Sequence, residues 1–193
     1  MRTRFRTDQR GPNVEGMSVQ GASRTPQAPV RLRGFAVAVV REDGRWRCTQ
    51  LPSEVLTDLD SAITALRDVR STGAVFGLLD IDDEFFVVIR PTPGGVRLLL
   101  SDAVAALDYD IAADVLDLLR VDVPDEEEDA DPWPEGDLAL LADVGLPEPE
   151  LSVIIDEVDL YPDEQLEMVA SRCGFLTEFA AAVGNNGSAG PGR

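Results

Sequence analysis

The chain has 193 residues, with 17 basic and 36 acidic residues, a formal net charge of −19 at pH 7, and no histidine. The missing histidine excludes Ser-His-Asp and Cys-His hydrolysis in their usual forms, because histidine is the usual general base near neutral pH. The two cysteines, Cys48 and Cys173, lack any CxxC spacing, so we interpret each as a small buried apolar residue. We expect no metal, no cofactor and no catalytic residues.

The charge is divided between two parts of the chain. Residues 1–33 contain seven arginines against Asp8 and Glu15, a balance of +5, whereas the other 160 residues contain 10 basic and 34 acidic residues, a balance of −24. An acidic body of this kind repels phosphate backbones and attracts basic surfaces. We therefore expect no direct nucleic-acid binding by the acidic body, and a protein partner instead.

Residues 1–33 are predicted to form a disordered basic arm, because glycines and prolines interrupt any helix before an apolar face can form. An incidental tail, or a true start at Met17, is favoured, and an arm that touches RNA is the alternative. The arm lacks the apolar stretch of a secretory signal, and no apolar run in the chain approaches a membrane span. The sequence predicts a cytoplasmic protein without a membrane partner.

Regular structure is predicted to begin with a β-hairpin at Phe35. The run Phe35–Val40 is rich in valine, and Arg45–Leu51 alternates apolar with polar residues, as a strand with one buried face does. Because Asp43 and Gly44 supply a tight turn between them, the two strands are expected to pair.

One amphipathic helix is predicted to follow the hairpin. Thr57 with Asp60 fits a capping box, and the helix is expected to run to about Arg70, before Gly73. The apolar residues at helical spacing are Leu56, Leu59, Ile63 and Leu66.

Three apolar runs come next, at residues 74–81, 85–89 and 96–100. Connections as short as theirs force antiparallel neighbours, so the three runs are predicted to form a meander. Every residue from Phe85 to Ile89 is apolar, which predicts a strand covered on both faces.

The acidic connection Asp80–Glu84 superficially resembles a calcium loop. An EF-hand needs glycine at its sixth position and glutamate at its twelfth, where this chain has Phe85 and Pro91. We interpret the connection as a hairpin tip with solvated carboxylates, and a weak Mg²⁺ or Ca²⁺ site is the alternative.

Ser101 is predicted to cap a further helix that runs to about Leu118, with a break near Asp108-Tyr109-Asp110. The element order is then ββαβββα. The predicted fold class is α+β, with an antiparallel sheet packed with helices in a core of residues 34–121.

Residues 122–136 are predicted to be a flexible acidic linker, because an acidic run and three prolines cannot pack into a core. Trp133 is unusual there. Its ring could dock in a basic, apolar groove while the acids steer the encounter, or it could fold back and cap its own domain. The candidate partner-binding residues are Asp125, Glu126, Glu127, Glu128, Asp129 and Trp133.

Residues 137–183 are predicted to form a helical segment that packs on the core, followed by a disordered tail at 184–193. Gly145 and Gly174 lie where helices are expected to end. The predicted helices cover Leu138–Val144, Leu151–Val158, Pro162–Cys173 and Leu176–Val183.

Five stretches carry a family resemblance: Phe35–Val40 with Gly44-Arg45-Trp46, Gly77-Leu78-Leu79-Asp80, Ser101-Asp102-Ala103 before Tyr109-Asp110, Gly136-Asp137-Leu138, and Leu160-Tyr161-Pro162-Asp163-Glu164. Through them the chain, from Phe35 to about Val183, resembles an actinobacterial family described as tRNA adenosine deaminase-associated proteins. The resemblance implies an association, by gene neighbourhood, with the enzyme that converts adenosine to inosine in tRNA. It supplies no catalytic residues.

The chain is not itself such a deaminase, because the H-x-E and P-C-x-x-C motifs of the zinc enzymes are absent. The leading hypothesis is a non-enzymatic accessory protein whose acidic body binds a basic surface of the tRNA adenosine deaminase. The alternatives are a roadblock-like or profilin-like scaffold, suggested by the element order alone, and a carboxylate-based metal enzyme. The oligomeric state is left open.

Overall fold

The computed structural model describes residues 33–124 and 131–184. Within them, six strands form one sheet in the order β2-β1-β3-β4-β5-β6, and every neighbouring pair is antiparallel. The strands are β1 Gly34–Glu42, β2 Arg45–Gln50, β3 Ala74–Ile81, β4 Phe85–Thr92, β5 Gly95–Leu100 and β6 Glu135–Gly136.

Five α-helices accompany this sheet in the described ranges, together with three short 3₁₀ turns. The helices are α1 Leu59–Arg67, α2 Asp110–Leu119, α3 Glu148–Ile155, α4 Pro162–Cys173 and α5 Leu176–Gly184, and the 3₁₀ turns are Ser53–Leu56, Val104–Leu107 and Ala142–Val144. The predicted ββαβββα order and the α+β class are confirmed.

Helices cover both faces of the sheet. Successive side chains of a strand point to opposite sides, so each inner strand contributes apolar residues to both helix layers. On β1, Ala36 and Ala38 contact the layer of α1 and α2, whereas Val37 and Val39 contact the layer of α3, α4 and α5. The small residues let the first layer approach closely. An added Cβ at Gly77 on β3 would lie 2.7 Å from Leu66 Cδ1 of α1.

The run from Phe85 to Ile89 lies at the centre of this arrangement. Phe85 and Val87 pack with α1 and α2, while Phe86 and Val88 pack with the C-terminal helices, and each of these residues is at most 1% exposed. The prediction of a strand covered on both faces is confirmed.

The predicted start of the first helix is wrong. Asp58 is the N-cap, and its carboxylate accepts a hydrogen bond from Ser61 N at 2.7 Å. Thr57 belongs to the preceding 3₁₀ turn instead, where its hydroxyl donates to Glu54 O. The helix ends at Arg67, one turn before the predicted Arg70.

Ser101 is not a helix cap either. It is buried, and its hydroxyl accepts a hydrogen bond from Phe86 N at 2.9 Å, so it joins the ends of β4 and β5. The neighbouring Asp102 carboxylate accepts from Val104 N at 2.8 Å and starts a 3₁₀ turn. The predicted break before Asp110 is confirmed, because α2 begins there.

The segment after the acidic run differs from its prediction at two places. Glu135 and Gly136, assigned to the linker, pair with Leu100 and Leu99 as strand β6. Residues 138–144 form turns and a short 3₁₀ element rather than an α-helix, because Leu140 and Leu141 pack into the core that covers the sheet. The Asp137 carboxylate accepts from Ala139 N at 3.0 Å in the first of these turns.

Candidate protein-binding surface

Of the six predicted partner-binding residues, the structure describes Trp133. Asp125, Glu126, Glu127, Glu128 and Asp129 lie outside the described residues. The main chain of Trp133 is attached to the start of the Val104–Leu107 turn, where Ala103 N donates to Trp133 O at 2.8 Å. Burial raises the pKa of the neighbouring Asp102, and hydrogen bonds from the main-chain N–H groups of Val104 and Trp133 oppose that rise. Trp133 thus has a fixed position.

The ring of Trp133 remains accessible even though its main chain is fixed. The residue is 39% exposed and belongs to neither of the two hydrophobic clusters that cover the sheet. A half-exposed indole on a main chain that is already held loses less conformational entropy on binding than one on a free segment. The arrangement combines elements of both sequence interpretations, since the main chain is hydrogen-bonded to its own domain and the residue stays partly exposed.

A second feature is an acidic groove between α1 and α2. We call it the α1/α2 groove. It has a volume of about 260 Å³ and is lined by Asp58, Leu59, Asp60, Asp114, Asp117 and Leu118. The helix starting at Leu59 supplies one wall and the second half of α2 supplies the other. The sequence gives no direct sign of this groove, because its two walls are separated by more than 50 residues in the chain.

The carboxylates of the groove repel one another. Burial raises the pKa of Asp114, and the nearby charges of Asp110, Asp58, Asp60 and Asp117 raise it further. Among the described residues, 33–124 and 131–184, no ion pair involves any of these aspartates. Leu118 is 50% exposed at the same place. The groove therefore offers concentrated negative charge beside an apolar side chain, which suits a cationic group carried by another protein.

The β3–β4 turn does not consist only of solvated carboxylates, so that interpretation is wrong for Asp80. Asp80 is 1% exposed, and its Oδ1 finds no hydrogen-bond partner within the described part of the chain. Burial raises its pKa to about 7, with smaller contributions from Asp83, Asp163 and Asp82. The described residues contain no group of three or more ligating side chains that could hold a metal ion, so the weak cation site gains no support.

The two cysteines are half-buried and pack against the cluster formed with the C-terminal helices. Burial raises the pKa of Cys48 to about 12 and that of Cys173 to about 11. Both thiols are therefore protonated at neutral pH, and thiolate chemistry is not available to them there.

A comparison with known families decides the classification. The model of the family described as "Rv3753c-like tRNA adenosine deaminase-associated protein" matches residues 34–176. The chain belongs to this family. Protein Rv3753c of Mycobacterium tuberculosis (strain ATCC 25618 / H37Rv) is 58% identical over 168 residues, which cover 86% of this chain and 97% of that protein. No solved structure matches the chain.

The region matched to the Rv3753c-like family begins at β1 and ends at the first residue of α5. It therefore includes the whole sheet, the α1/α2 groove and Trp133. The family resemblance expected from the sequence is confirmed. The description of this Rv3753c-like family is that of deaminase-associated proteins, not of deaminases. None of its described helices has the length and apolar character needed to cross a membrane.

Proposed function

We propose that this protein is a non-enzymatic accessory protein that binds a basic surface of a tRNA adenosine deaminase through its acidic body. The family description supports the association with that enzyme. The observation that supports this mode of binding is the α1/α2 groove, where Asp58, Asp60, Asp114 and Asp117 line one cavity. We place the protein in the cytoplasm because its proposed partner acts on tRNA.

The electrostatics of the groove support binding there. An arginine or lysine of the partner that enters the groove would stabilise the charged form of Asp114, whose pKa is raised by burial and by the neighbouring aspartates. Opposite fields accelerate the encounter, and salt weakens it. Because tRNA also binds basic surfaces, the accessory protein and tRNA would compete for the deaminase where their sites overlap. The proposed role is thus control of tRNA access or stabilisation of the enzyme.

We propose that Trp133 adds apolar contact to this binding, with the acidic run Asp125–Asp129 contributing charge. The half-exposed ring of Trp133 and its fixed main chain support its part in the proposal. The scaffold alternative is less well supported. The exposed edge strand β2 carries Arg45 and Arg47, which would oppose like charges if two copies paired edge to edge.

The test is binding of the full chain to the purified cognate tRNA adenosine deaminase, measured by calorimetry and gel filtration at low and high salt. The double variant Asp114→Asn/Asp117→Asn removes two groove charges. The control variant Asp43→Asn/Asp68→Asn removes two charges from exposed positions outside the groove.

We expect the groove variant to lose about tenfold in affinity, equivalent to about 1.4 kcal/mol, and the control to lose less than about twofold. The loss should shrink at high salt, and added tRNA should displace the protein. Absence of a complex at every salt concentration would contradict the proposed partner. Equal affinities of the two variants would contradict the groove as the binding surface.

A further inference from the structure

The turn between α3 and α4 exposes large apolar side chains. We call residues 156–161 the α3–α4 turn. Val158 in this turn is 76% exposed, and Tyr161 at its end is 67% exposed. The sequence places Val158 on the buried stripe of a helix, which is wrong, because α3 ends at Ile155. Two large apolar side chains three residues apart on one exposed turn indicate an interaction site more strongly than one isolated side chain does.

Hydrogen bonds from a buried glutamine hold the main chain of the turn in place. Gln165 on α4 is 7% exposed, and its side-chain amide donates to Ile155 O and to Glu157 O, both at 3.2 Å. Within the turn, Val158 N donates to Asp156 O at 3.0 Å. A surface whose shape is already fixed loses little entropy on binding, so burial of its apolar groups translates more fully into affinity.

The entry to α4 fixes Tyr161 as well. Its main-chain N–H donates to Glu164 Oε2 at 3.0 Å, and the following Pro162 is buried at the first position of the helix. The ring is left in solvent while its backbone is anchored. Tyrosine suits this position in an interface, because its ring supplies apolar area and its hydroxyl can pair with a polar rim.

The charge around the turn defines the chemistry of what can cover it. Eight acidic residues and no basic residue occur from Glu148 to Ser171. Arg172 forms only an exposed pair with Glu150 at 3.6 Å. A second copy of this face or a nucleic acid would be repelled, whereas a protein surface with basic residues around an apolar pocket would be attracted.

We infer that the α3–α4 turn inserts Val158 and Tyr161 into an apolar pocket, rimmed by arginine or lysine, on a protein partner. The inference rests on the proposed function in that this partner is the tRNA adenosine deaminase. The groove and the turn belong to helices that cover opposite faces of the sheet, so they would contact separate parts of the partner, and each can be disabled without altering the other. The turn contributes apolar burial, and the groove contributes charge.

The experiment compares the wild-type chain with Val158→Ser/Tyr161→Ser in calorimetric binding to the purified deaminase at several temperatures. Serine at position 161 keeps the main-chain N–H that donates a hydrogen bond to the Glu164 carboxylate. The matched control is Val123→Ser/Leu176→Ser, which removes two apolar side chains that are 45% and 40% exposed elsewhere. Thermal unfolding of each variant verifies that the fold is kept.

We expect the turn variant to bind at least about tenfold more weakly and with a less negative heat-capacity change, because less apolar surface is buried on binding. Its remaining affinity should keep the salt dependence of the wild type, and the control should bind within about twofold of it. If the wild type binds and the turn variant binds equally well, the inference is wrong while the proposed function stands. If the wild type does not bind at any salt concentration, the proposed function itself fails.

Discussion

Arg90 on β4 donates a hydrogen bond to the main-chain oxygen of Leu140 at 2.5 Å and also pairs with the Asp143 carboxylate. Arg97 on the adjacent β5 pairs with Asp137. These hydrogen bonds lower the pKa of both aspartates. The two arginines therefore attach the irregular segment of residues 137–144 to the sheet, and this segment delivers buried leucines to the layer of α3, α4 and α5.

Replacement of Arg90 by methionine should lower the free energy of unfolding by about 2 kcal/mol, because Leu140 O loses a charged donor in a half-buried place. Urea denaturation measures the change. Arg67→Met is the control, since the guanidinium of Arg67 donates to Gly95 O at 3.3 Å in an exposed position and should matter by less than about 1 kcal/mol. Equal losses in the two variants would argue against an anchoring role for Arg90.

Asp80 should make stability depend on pH. Its folded-state pKa is about 7, above the ordinary value of 3.8, so between these two pH values the unfolded chain releases a proton that the folded protein retains. The free energy of unfolding therefore falls as pH rises from about 4 to about 7 and levels off above that. The full effect corresponds to roughly 4 kcal/mol.

Asp80→Asn keeps the shape of the side chain and removes its titration. Urea denaturation of both proteins at pH 5 and pH 8 should show that the variant gains about 3 kcal/mol relative to the wild type over this range. Comparison of the two proteins cancels the other titrating groups, including the lowered pKa values of Asp137 and Asp143. Parallel stability profiles would show that Asp80 is ionised at neutral pH.

Asp114→Asn should raise the free energy of unfolding at pH 7 by less than about 1 kcal/mol, because it removes repulsion within the α1/α2 groove at a mostly solvated site. The gain should diminish in 1 M salt, where repulsion between exposed charges is screened. Thermal unfolding at low and high salt tests both statements. Asp43→Asn, in the β1–β2 turn, should show no such salt-dependent gain, and a gain of the same size there would disprove a local effect.

Trp133→Phe should change the free energy of unfolding by less than about 1 kcal/mol, because the ring packs in neither hydrophobic cluster. The substitution should also make the remaining tryptophan fluorescence less sensitive to quenching by acrylamide. That fluorescence comes from Trp46, whose ring lies 4.8 Å from that of Phe175, between centroids, and under the Arg41 guanidinium. Unchanged quenching in the variant would mean that the Trp133 ring is covered in solution.

The strands and most helices could be predicted because their signals are local. The continuous apolar run from Phe85 to Ile89 marks a strand buried on both faces, and Pro162 with Gly174 marks the two ends of α4. The helix predicted at residues 138–144 failed because its leucines are used for long-range packing onto the sheet, and periodicity alone does not distinguish that use from a helical stripe.

The sequence by itself determined the element order, the acidic character of the body and the family, since these depend on composition and on neighbours along the chain. Tertiary structure decided which charges meet. Asp58 and Asp114 share a groove only because α1 and α2 pack on the same face of the sheet. Asp80 loses its water only because helices close over β3, and Val158 remains in solvent because α3 stops before it. Burial and charge proximity are properties of packed surfaces, and residues far apart in the chain create them together.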